Sequence, residues 1–93
     1  ETYFQLGGER TPAARTDYAT VLSRVDMPRA LRELDQITKD HPDFFAAWVN
    51  LATLRLESGD KAGGIEALRG AIAIATEQDK PFLQEKLRAL TGE

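Results

Sequence analysis

The residues with the most chemical potential in this chain lie close together. His41, the single histidine, has Asp40 beside it and Asp43 two residues on. Such a triplet could hold a metal ion or move a proton. A metal site needs several convergent ligands, however, and nothing at helical spacing completes this one. The pattern instead fits a turn at a helix C-terminus, where a cation is favoured. Gly63-Gly64 suggests a phosphate loop, but no Lys-Ser/Thr follows it and no strand precedes it. A close helix crossing at Gly64 accounts for it better. Trp48, the single tryptophan, could stack on a ligand; its spacing to Leu51 and Ala52 assigns it to packing. No Ser/His/Asp set is present, no cysteine, and no carboxylate pair in an apolar setting. The expectation is a non-enzymatic chain with no catalytic residue, metal or cofactor.

Composition narrows the partners. The chain has 93 residues, enough for one small domain with a modest core. Its net charge is -3, and acids and bases are interleaved. That excludes the basic stripe a nucleic-acid surface needs. The most apolar stretch, "IEALRGAIAIA", is broken by Glu66 and Arg69, so no membrane insertion is expected. No signal-peptide pattern is visible. Without cysteine there are no disulfides, but the compartment stays open, with the cytoplasm as default. The sequence starts at Glu1 rather than Met, which suggests a piece of a longer chain or a processed product. "ETYFQ" reads as either a tag remnant or a native tail.

Residues 1–11 lack a helical period, and Gly7-Gly8 breaks them, so a tail or short arm is expected there. Five helices follow. The first runs from Pro12 to about Arg24, with Ala14, Tyr18, Val21, Leu22 and Val25 as its apolar set. Asp26 caps the second, whose stripe is Ala30, Leu31, Leu34 and Ile37. His41-Pro42 stops it. Asp43 is expected to cap the third helix, which ends near Ser58 with Gly59 as its stop signal. That helix is apolar on two sides. Phe45, Trp48, Ala52 and Leu56 form one stripe, and Phe44, Ala47, Leu51 and Leu54 the other. Asp60 caps the fourth helix, with Ile65, Leu68, Ala71, Ile72 and Ala75. The last starts near Lys80-Pro81 and carries Leu83, Leu87 and Leu90. The fold class is therefore all-α, five short helices joined by tight connections that make neighbours antiparallel.

Sliding the sequence by 34 residues places Leu22 on Leu56, Asp26 on Asp60, Leu31 on Ile65 and Leu34 on Leu68. Two helix–turn–helix units result, each with a face it cannot bury alone, and the third helix is covered from both sides by the second and fourth. Trp48, Leu51 and Ala52, then Gly59-Asp60, Ala71, and in the preceding unit Ala30 and Pro42, are the residues on which the chain resembles the tetratricopeptide repeat (TPR) family. The resemblance covers roughly residues 11–78: repeat 1 at 11–44, repeat 2 at 45–78, and a capping helix at 79–91. Repeat 1 departs from the pattern. Ala14 stands for the family's tryptophan and Asp17 for a leucine. In repeat 2, Gly64 replaces alanine and Thr76 replaces proline. The resemblance implies a TPR-like helical solenoid.

It also implies a protein-interaction module that takes a partner peptide or helix on its concave face. Turning the third helix away from the Trp48 stripe leaves Ala46, Val49, Asn50, Thr53 and Glu57 for that surface. Asn50 leads, since its amide both donates to and accepts from an extended backbone. A subset of the family clamps a partner's C-terminal carboxylate. On that pattern Asn50 matches an asparagine, Lys80 a lysine, and Arg15 stands where a lysine belongs, while Ala19 and Gln84 break it. Two other expectations stand beside groove binding. One is self-association into a homo-oligomer or scaffold through apolar ends of the stack, at Tyr18, Val21, Phe82 and Leu83. The other is a regulatory appendage of a larger enzyme.

Overall fold

The computed structural model describes residues 11–92, and all regular structure among them is helical. The helices are α1 (Pro12–Leu22), α2 (Met27–Asp40), α3 (Phe45–Glu57), α4 (Lys61–Ile74) and α5 (Lys80–Thr91). Residues 1–10, expected as a tail, lie outside the described set. Thr11, also expected in the tail, is the N-cap of α1, its hydroxyl accepting from the Ala14 amide at 3.2 Å.

Sequence chemistry sets most boundaries. Asp26 and Asp60 accept from the amides of Arg29 and Gly63, which gives an acceptor to one of the four N–H donors each helix start leaves without a partner. Gly59 ends α3 with φ +92°, a left-handed conformation that a β-carbon would strain. Two boundary expectations are corrected. The N-cap of α3 is Phe44, with no side-chain cap bond; Asp43 does not cap it, and the Phe44 amide instead donates to the His41 carbonyl at 3.0 Å. And α1 stops at Leu22, because the backbone tightens there, with Val25 N–H donating to Leu22 O at 3.0 Å.

Each helix touches its predecessor, and α3 also touches α1, so α3 is packed by α1, α2 and α4. This answers its two-sided pattern. Ala47, Leu51 and Leu54 are buried, as is Ala52 on the other stripe. A methyl at Gly64 would lie 2.6 Å from Leu56, and one at Gly70 would overlap the Trp48 ring, so α3 and α4 meet closely along two glycines. Ala30, Leu34 and Ile37 are fully buried on α2, and Ala67, Leu68 and Ala71 are buried on α4. Covering a leucine side chain of this kind contributes about 2 kcal/mol. In and after α1 the expected apolar set holds in part: Leu22 is buried and Tyr18 packs against the core, but the two valines do not. Val21 and Val25 are 67% and 84% exposed, and the buried residues are Thr16, Ala19 and Leu22. Thr16 sits among apolar neighbours without penalty because its hydroxyl donates to Pro12 O at 2.7 Å.

α2 and α4 start and end 34 residues apart. Among the described helices α5 packs on α4 alone, through Leu83 with Leu87 and Leu90 beside it, and has no contact with α3. No described helix is long and apolar enough to cross a membrane.

Candidate functional site

Two grooves flank α3. The first, about 450 Å³, lies between α1 and α3. Its walls are Thr20, Ser23 and Arg24 on one side and Asn50, Thr53 and Glu57 on the other, over Met27 and Leu54. Helical geometry places the α3 wall: Asn50, Thr53 and Glu57 are spaced i, i+3, i+7 and share a face. The hydroxyls have a common arrangement. Thr20 donates to Thr16 O at 3.0 Å, Ser23 to Thr20 O at 2.6 Å and Thr53 to Val49 O at 3.0 Å. Each spends its proton on its own helix and turns its acceptor lone pairs outward. The Asn50 amide donates to Thr20 Oγ1 at 3.5 Å, a long bond that a better acceptor would displace. It keeps a second N–H and its carbonyl oxygen for a ligand. Arg24 and Glu57, both exposed, put one cation and one anion at the C-terminal ends of α1 and α3.

The second groove, about 270 Å³, lies between α2 and α4 across α3 and is lined by Asp35, Thr38, Lys39, Trp48, Leu51, Arg55, Glu66 and Gly70. Here the polar groups satisfy one another. Arg55, only 18% exposed, donates to Gly63 O at 3.0 Å and pairs with Glu66 at 3.3 Å and Asp35 at 3.4 Å, spanning all three helices. Asp35 also holds Lys39 at 3.1 Å. Trp48 Nε1 donates to Pro42 O at 2.8 Å. This groove is a structural seam.

The residues expected at the partner surface separate into two groups. Asn50, Thr53 and Glu57 line the first groove together. Ala46 is exposed one turn away, and Val49 is partly buried against the core. Arg15 and Lys80 do not join them. Arg15 is turned onto α2, with Nη1 3.0 Å from Asp40 and Nη2 3.6 Å from Glu33. Lys80 pairs with Glu77 at 3.7 Å at the α4–α5 connection. Asp40, beside His41, is the acceptor of Gln36 at 2.9 Å and of Arg15. The hydrogen bond from Gln36 and then that from Arg15 hold its carboxyl below its ordinary value. The described residues contain no group of three His, Cys, Asp or Glu side chains placed to hold a metal ion.

The α1 wall, with Met27 and Leu54, was not among the expected residues. A partial signal existed, because Thr20, Ser23 and Arg24 follow one another at i, i+3, i+4, as Asn50, Thr53 and Leu54 do on α3, whereas Met27 belongs to α2. Comparison with protein-family models gives no matching family, and comparisons with curated proteins and with solved structures give no match.

Proposed function

We propose that this chain is a non-enzymatic protein-interaction module, a short TPR-like helical solenoid that binds an extended peptide in the groove between α1 and α3. The observation that carries the reading is the open hydrogen-bonding capacity of that groove, set against the closed network of the other one. Outward hydroxyl acceptors, an Asn50 amide in a long bond, and an apolar floor of Met27 and Leu54 suit a peptide backbone with one apolar side chain between its polar contacts. The repetition of α2 and α4 at 34 residues supports the repeat reading. Carboxylate clamping finds less support, since Arg15 and Lys80 stand apart from Asn50.

Peptides selected from a displayed random library against the intact chain test this. Selected clones should bind the parent and lose at least about tenfold in affinity against Thr53→Glu and Asn50→Ala. Both substitutions sit on the half-open face and leave the core in place. Clones that bind both variants as tightly as the parent would move the site elsewhere.

A further inference from the structure

We propose that the outward face of α5 is a weak, antiparallel, two-fold contact surface for a second copy of this chain. α5 turns Leu83, Leu87 and Leu90 toward α4. The flank beside that face, about a third of a turn round the helix, carries Phe82, Glu85, Lys86 and Ala89, all exposed. These four are spaced i, i+3, i+4, i+7 and make one stripe. Phe82 keeps 72% of its surface in water. A lone exposed apolar residue is ordinary, so Phe82 by itself says little. The order along the stripe says more: large apolar, acid, base, small apolar. That order complements its own reverse. With two copies of α5 antiparallel about an axis between residues 85 and 86, Phe82 of each lies over Ala89 of the other. Glu85 of each then faces Lys86 of the other. A two-fold axis makes every such pairing twice. A parallel pairing would set Glu85 on Glu85 and Lys86 on Lys86, so the charges also select the direction.

Glu85 already pairs with Arg88 of its own helix at 3.0 Å, but its side chain stays 73% exposed and open to a second cation. A 12-residue helix covers less than the roughly 800 Å² per partner of a standard interface, so the association is weak. Phe82 anchors it and the charges fix its register. The surface is separate from the α1–α3 groove, since among the described helices α5 touches only α4, and it does not depend on peptide binding.

Sedimentation equilibrium of the full chain from about 10 µM to 1 mM tests it, with circular dichroism confirming that each variant is folded. The parent should self-associate reversibly, and Phe82→Glu should stay monomeric throughout. Glu85→Lys alone and Lys86→Glu alone should each weaken self-association by about tenfold, because each sets like charges face to face twice. An equimolar mixture of those two variants should associate about as well as the parent, because every facing pair is then of opposite sign. Three results would each overturn the proposal: a parent that is monomeric at the highest concentration, a Phe82→Glu variant that associates like the parent, or a mixture no tighter than its separate components.

Discussion

Replacing Gly70 by alanine tests the α3–α4 seam through the sign of its effect. In an exposed helix the change stabilises by about 1 kcal/mol, because glycine loses more backbone entropy on folding. In this seam the new methyl would overlap the Trp48 ring, reaching within 2.9 Å of Cδ2 and closer still to the outer ring carbons. The ring is anchored by its bond to Pro42 O at 2.8 Å and must swing to make room. Displacing packed atoms costs about 1–3 kcal/mol, and the lost hydrogen bond about 1 kcal/mol more. Gly70→Ala should therefore destabilise the chain by about 1–3 kcal/mol net of the propensity gain. With Trp48→Ala already in place the methyl meets no ring, and the same change should stabilise by about 1 kcal/mol. The coupling energy of the cycle is then about 2–4 kcal/mol. Urea unfolding followed by circular dichroism measures all four corners, with TMAO added to keep the weaker ones folded. Trp48 fluorescence should shift to the red in Gly70→Ala alone. If Gly70→Ala stabilises the parent as much as it stabilises the Trp48→Ala background, Trp48 is not seated on Gly70, and the account of the α3–α4 contact fails.

Three further outcomes can be checked by the same unfolding assay. Asp26→Ala and Asp60→Ala should each cost about 1 kcal/mol through a lost cap, while Asp43→Ala should stay within about 0.5 kcal/mol because it caps nothing. Arg55→Ala should cost about 1–2 kcal/mol, mainly from the bond of its largely buried guanidinium to Gly63 O, since its two carboxylate partners are 40% and 80% exposed and screened. Asp40 is held below its ordinary 3.8 by the hydrogen bonds from Gln36 and Arg15, so the unfolded chain takes up its proton first. Its contribution is complete above 3.8 and is lost as pH falls through the lowered folded value; Asp40→Asn should flatten that part of the stability–pH curve.

Much of the scaffold was legible because its signals are local or periodic. Asp26, Asp60 and Gly59 act within a few residues of themselves, and Ala30, Leu34 and Ile37 recur with the helix period, so they land where the pattern puts them. The errors fall where a local signal competes with a neighbour it does not describe. Asp43 has the right chemistry for a cap, but the amide of Phe44 is taken by His41 O in the preceding turn. Val21 and Val25 are apolar, yet the covered side of α1 runs through Thr16, Tyr18, Ala19 and Leu22, and Val25 lies beyond the helix end. The threonine owes its burial to a bond with Pro12 O, which the apolar pattern cannot express.

The candidate site was half legible for a related reason. A single helix shows its own faces, so Asn50, Thr53 and Glu57 could be read from α3. A groove needs a second wall, and which helix supplies it depends on packing across about 30 residues, the separation of Thr20 and Asn50. The same distance explains Arg15. Its charge suited a ligand clamp, but Asp40, 25 residues on, reaches it first. Arg55 shows the converse. It is the only charged residue in α3 before Glu57, in a helix otherwise covered on both sides, and a cation there must find partners on α2 and α4 or remain unpaired. That requirement closes the groove between α2 and α4 with its own side chains. The α1–α3 groove has no such cation at its centre, its hydroxyls are turned back on their own helices, and Asn50 reaches Thr20 only at 3.5 Å. A partner's backbone amide brought to those acceptors would gain bonds without breaking strong ones. This is the physical reason to look for a ligand there and not on the side of the chain's one tryptophan.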